Sequence, residues 1–230
     1  IRHTCCVGCN ILNNGITLIC AENPAADLVA GRIFLKQAGS CWDPVHKAGI
    51  SHLLATVITK GTRRRSALEI AELVESLGAN LSADAASDYW SISLKTVTSD
   101  FPKILALASE ILREPIFPEA EIELEKRLIL QAIQSQREQP FNVAFQQLRQ
   151  AMYPDHPYGQ SLLGDANLVP GFTQGDLWEY HHAYFRPDNL VISVSGRLTL
   201  VQAKTWVEVS FGDWQIPDRS IFCPVLPGLT

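Results

Sequence analysis

Two rhythms of apolar residues run through this chain, one of period two and one of period three to four. After the turn signal Asn13-Asn14-Gly15, residues 16–20 read as a strand. Residues 28–37, rich in Val, Ile and Phe, read as a second strand, and the glycine of Ala38-Gly39-Ser40 permits a sharp exit from it. Trp90, Ile92 and Leu94 alternate with Ser91, Ser93 and Lys95, so residues 89–97 form a strand with one buried and one wet face. Residues 79–85 are its partner across the polar turn at Ser87-Asp88, and residues 190–195 form a last strand.

The helical rhythm fills most of the remainder. Along residues 50–58, Ile50, Leu53, Leu54, Val57 and Ile58 form one apolar stripe. His52, Ala55, Thr56 and Thr59 fall on the opposite side, towards a cleft or solvent. Ser66-x-x-Glu69 is a capping box opening a helix lined by Ile70, Leu73, Val74 and Leu77, and Gly78 ends it. Further helices are expected over 101–113, closed by Pro115, and from Pro118 towards Glu138, with Glu119, Glu121 and Glu123 favouring its N-terminal end. Others follow over 142–152, 173–184 and 200–211. Runs of hairpins and helices without strict βαβ alternation predict an α+β fold, a mostly antiparallel sheet with helices packed on it.

The polar side of the 50–58 helix is where chemistry would sit. A histidine with partners at i+3 and i+4 on one helical face is how a zinc hydrolase presents two ligands and a general base. Here the i+3 residue is Ala55 and the i+4 residue is Thr56. An alanine is neither ligand nor base, and a neutral hydroxyl is a poor zinc ligand. On its own residues, His52 reads as a polar group on a cleft wall, bonded to water or Glu125. His181-His182 point about 100° apart on a helix and read as packing residues. His156, between Asp155 and Pro157, reads as fixing a loop.

Gly49-Ile50-Ser51-His52-Leu53-Leu54, followed by Lys60-Gly61-Thr62, resembles the inverted zinc-peptidase motif H-x-x-E-H of the M16 (insulinase and mitochondrial processing peptidase) family. His52 matches that motif's first histidine, Ala55 stands at its glutamate and Thr56 at its second histidine. The family's third ligand lies in a later helix, where Glu125-Lys126-Arg127-Leu128-Ile129-Leu130-Gln131-Ala132-Ile133 places Ala132. His156-Pro157 through Gly164 and Arg186-Pro187-Asp188-Asn189 resemble further family segments. The resemblance implies an M16-like half with a degenerate site: no catalytic residue and no metal here, the positions being His52, Ala55, Thr56 and Ala132. It also implies substrate backbone pairing along a strand edge, for which Ala38, Gly39, Ser40, Ser82 and Ala83 are the candidates. Cys41 stands at the family's usual arginine, and Asp43 at an acidic position.

The partners implied are an active, zinc-bearing M16 subunit in a heterodimer, a second homologous half, and an extended peptide. The domain expectation is an M16 N-terminal domain over 1–215 with a linker over 216–230. The function expected is a non-catalytic subunit of a processing peptidase. The alternatives are a scaffold with a vestigial cleft and a peptidase using other ligands.

Composition narrows this further. The 230 residues are 47% hydrophobic and 19% charged, which is globular rather than disordered. A net charge of −5 offers no general attraction to nucleic acid or anionic membrane. No run approaches the roughly 18 apolar residues of a membrane span. Cys5, Cys6 and Cys9 lie near His3 but lack a second C-x-x-C pair, so they read as thiols on a first strand rather than a zinc site. Scattered cysteines suit a reducing compartment, such as cytoplasm or an organelle interior.

Overall fold

In a computed structural model, residues 7–154 and 156–218 are described. They form one mixed sheet whose strand order is β1-β2-β6-β3-β5-β4. The strands are β1 (Val7–Ile11), β2 (Thr17–Glu22), β3 (Val29–Leu35), β4 (Asn80–Ala85), β5 (Trp90–Thr96) and β6 (Leu190–Gly196). Four of the five pairings are antiparallel and only β2 with β6 is parallel, as the expected α+β class requires. His3, Cys5, Cys6, Cys223 and most of the expected linker lie outside the described residues.

One face of the sheet carries the core. Leu18, Cys20, Ile33, Leu35, Trp90, Ile92, Leu190 and Ile192 are fully buried there. Each alternates with half-buried or exposed neighbours on the other face, the period-two signature of a sheet covered on one side. Ser91 departs from the expected wet face and is buried. It pairs across the ladder with Phe34, whose ring meets Tyr89 edge-on at 5.2 Å.

Among the described residues, seven α-helices supply the second layer: α1 (Ile50–Val57), α2 (Ala67–Ser76), α3 (Phe101–Arg113), α4 (Glu119–Arg137), α5 (Pro140–Met152), α6 (Gln174–Tyr184) and α7 (Leu200–Phe211). Capping boxes open three of them, Ser66 with Glu69, Thr173 with Asp176 and Thr199 with Gln202. α5 begins two residues before its expected start, because Pro140 fits the first helical turn, where its missing N–H costs nothing. Among the described residues, no helix is long and apolar enough to cross a membrane.

The sheet order overturns one expectation. β3 lies inside the sheet, between β6 and β5, so its end is no edge for a peptide. Ala38, Gly39 and Ser40 are buried. The Gly39 N–H donates to Tyr180 Oη (3.0 Å) and the Ser40 N–H to Ala86 O (3.0 Å). Ser82 and Ala83, in contrast, lie on β4, an edge strand that packs beside α1.

Candidate functional site

α1 owes its position to its N-terminal end. Gly49 caps it in the left-handed region, at φ 100°. The Gly49 N–H (2.9 Å) and Ser51 Oγ (3.0 Å) both donate to Asp43 Oδ2. Burial pushes the Asp43 carboxyl up to about 7, against the pull of these bonds. The apolar stripe of Ile50, Leu53, Leu54, Val57 and Ile58 is wholly buried, as the helical spacing predicts. His52, Thr56 and Thr59 are half-buried on the other side, and Ala55 is closed in.

This half-buried side faces β4 and α4. Burial lowers the His52 pKa, while Asp84 and Glu125 pull the other way. The imidazole is therefore neutral at pH 7, the form that binds a metal. Its neighbours do not complete a site. Thr56 Oγ1 donates to Leu53 O (2.9 Å), so its proton is spent within the helix. Ala55 contributes a methyl group. On α4, Ala132 is exposed and lies seven residues after Glu125, which puts the two on nearly the same helical face. The buried Glu125 carboxylate is taken by Lys60 Nζ (3.0 Å), with Glu121 further off at 3.9 Å. Among the described residues, no group of three His, Cys, Asp or Glu is placed to hold a metal. The residues at hand do not fit a catalytic zinc.

The remaining candidates are structural. His181 is buried, its Nε2 donates to Leu112 O (2.8 Å), and burial depresses its pKa to about 4. His182 is exposed and stacks on Trp178. His156 Nδ1 accepts from the Tyr158 N–H (3.1 Å), which fixes the loop as expected. Cys41 is buried and free, its thiol pushed up to about 12 by burial and by Asp88 and Asp43, so it stays protonated. Cys9 is an exposed free thiol on β1.

Sequence reasoning missed the Lys60–Glu125 pair. Lys60 lies eight residues after His52, in the turn beyond the end of α1 at Val57, and only the packing of α1 on α4 brings it to Glu125. It also missed what Asp43 holds. The signal was available in Asp43 and Ser51 bracketing Gly49, a carboxylate close to a helix start.

A sequence model described as insulinase (peptidase family M16) matches residues 18–166, and one described as the peptidase M16 inactive domain matches 171–227. An uncharacterised zinc protease of Rickettsia felis is 27% identical over 213 residues, which cover 93% of this chain and 52% of the relative. The mitochondrial-processing peptidase subunit beta of Saccharomyces cerevisiae is 26% identical over 201 residues, covering 87% of this chain and 43% of that protein. A protease from Helicobacter pylori superposes with a TM-score of 0.90 at 20% identity, over 96% of this chain and 54% of that one. The chain thus spans about half the length of the curated relatives it matches. Matched over residues 18–166, more than half of its length, the chain belongs to the insulinase family of peptidases, M16.

Proposed function

We propose that this chain is a non-catalytic M16 subunit that pairs with an active, zinc-bearing M16 subunit and walls the chamber in which a peptide is held. The observation that carries this reading is the polar side of α1. It keeps the frame of a catalytic helix around His52, while Ala55, Thr56 and Ala132 offer neither base nor further ligand. The matching model described as an inactive domain agrees with a chain that contributes fold rather than turnover. Edge strand β4, with Ser82 and Ala83, is the stretch that takes part in holding an extended peptide, because an edge leaves backbone N–H and C=O groups unpaired.

The test is to copurify the chain with a zinc-bearing M16 relative and to compare peptide cleavage by the pair with cleavage by that relative alone. Raised kcat/KM for the pair is expected, together with no turnover by the isolated chain. A pair no more active than the relative alone sinks the reading.

A further inference from the structure

Asn14-Gly15 is the one Asn-Gly pair in the chain. Asparagine loses its side-chain amide most readily before glycine, whose nitrogen has no neighbouring side chain to hinder its attack. The fold needs both residues of this labile pair. Gly15 sits at φ 84° in the turn between β1 and β2, and a Cβ on it would lie 3.2 Å from Asp188 Cα. Asn14 is 9% exposed and holds the far end of α7: its Nδ2 donates to Phe211 O (2.7 Å) and to Trp214 O (3.3 Å). Carbonyls in the last turn of a helix have no partner within it, so side chains from elsewhere meet them. Ser109 Oγ on α3 does the same for Ser210 O (2.5 Å). The Gly15 N–H is itself bonded to Leu12 O (3.0 Å), so its nitrogen cannot reach Asn14 Cγ until the turn opens.

We propose that Asn14 is a spontaneous deamidation site that the fold keeps latent. Each opening of the β1–β2 turn away from α7 exposes it, and conversion then unfastens the two elements irreversibly. The Gly15 nitrogen loses its proton and bonds to Asn14 Cγ, the Cγ–Nδ2 bond breaks, and ammonia leaves with that proton. One water then opens the cyclic imide to aspartate or isoaspartate. Neither product can remake the clamp. A carboxylate oxygen now faces Phe211 O and Trp214 O, so acceptor opposes acceptor where a donor stood. The new charge also lies at the negative end of the α7 dipole. The cations bordering this segment are already engaged by carboxylates. Arg113 is held by Asp213 (2.8 and 3.0 Å) and Arg186 by Asp188 (2.6 and 2.9 Å). Isoaspartate further lengthens the backbone of a turn that closes tightly from Leu12 to Gly15.

The experiment is a timed incubation of the 230-residue chain in mildly alkaline buffer, folded and in concentrated urea, with the mass gain located by peptide mapping. Conversion at residue 14 is expected in urea, and at least about tenfold more slowly in the folded chain, because it waits on local opening. Converted and unconverted chains from the same urea treatment are then separated by charge, refolded and compared by amide hydrogen exchange. Faster exchange at Gly15, Gly212 and Trp214 is expected in the converted chain, with Ile92 in β5 unchanged. A converted fraction that no longer refolds, while the unconverted one does, also supports the proposal. Asn14→Asp should reproduce the loss of protection, and Asn13→Asp, at the exposed neighbour, should not. Equal conversion rates in folded and unfolded chains overturn the proposal. So does an Asn14 that survives in urea, or a converted chain whose three amides exchange as slowly as before.

Discussion

Asp43 and His181 titrate in opposite senses inside one core. Asp43 is raised to about 7 by burial, so its proton is held by the folded chain across a range where the unfolded chain has lost it. Its contribution to stability is complete below the ordinary carboxylate pKa of about 4 and is lost as pH rises through 7. His181, depressed to about 4, works the other way: its contribution is present above pH ~6.5 and is lost as pH falls towards 4. Between about pH 4 and 6.5 the two slopes oppose, each up to about 1.4 kcal/mol per pH unit. We expect Asp43→Asn to unmask a stability that rises with pH in that window, and His181→Gln one that falls. Asparagine can still accept from the Gly49 N–H, and glutamine can still donate to Leu112 O, so folding should survive both changes. Urea denaturation midpoints taken from pH 4.5 to 6.5 are the readout. Parallel pH profiles for the two variants would rule out the opposition.

At the scale of elements, the glycines say most about how the site is held. Gly49 begins α1, and Gly164 closes the loop that resembles the family's H-P-x-G segment. A Cβ on Gly164 would lie 2.5 Å from Ala48 O and 2.7 Å from Gly49 Cα, and the residue sits at φ 85°. The loop therefore lies flat against the start of α1, and both backbones need to be bare there. Gly164→Ala should cost more than about 2 kcal/mol, from the clash and the left-handed φ together. Gly175, in the first turn of α6 with no contact nearer than 3.6 Å to an added Cβ, should gain about 0.5–1 kcal/mol on mutation to alanine. Chemical denaturation of the two variants separates a packed glycine from a merely permitted one. Similar losses for both would show that close approach is not what Gly164 provides.

The same scale shows what the sequence made legible. The bounds of α3 and the capping box of α2 follow from local pattern, because period and cap chemistry act within a few residues. The buried stripe of α1 and the half-buried side of His52 follow from the same periodicity. That β3 is internal does not, because its neighbour β6 comes more than 150 residues later, and no local signal says where a distant strand inserts. The assignment of a peptide edge to Ala38, Gly39 and Ser40 failed for that reason. The outward stripe of α5 is visible as Phe141, Phe145, Leu148 and Met152, but periodicity alone reads such a stripe as facing the core.

The geometry around His52 is a property of the whole molecule, because it depends on how α1 and α4, some seventy residues apart in the chain, lie against each other. His52 and Thr56 share one side of α1, Glu125 and Ala132 share one side of α4, and Lys60 ties the two helices through Glu125. If the frame is intact and only ligands are missing, returning them should return metal affinity without rebuilding the fold. Thr56→His with Ala132→Glu, added to His52, gives the three protein ligands that a catalytic zinc takes. Neither change needs new core volume, since Thr56 is half-buried and Ala132 exposed. The double variant is expected to bind one zinc per chain by metal analysis, and to unfold at higher temperature in zinc than after chelation. The unaltered chain should do neither, and His52→Ala should leave its metal content where it was. A folded double variant that stays metal-free would mean that α1 and α4 have moved apart beyond ligand reach. The packing of the domain, rather than the residues at 55, 56 and 132, would then be what keeps a metal out.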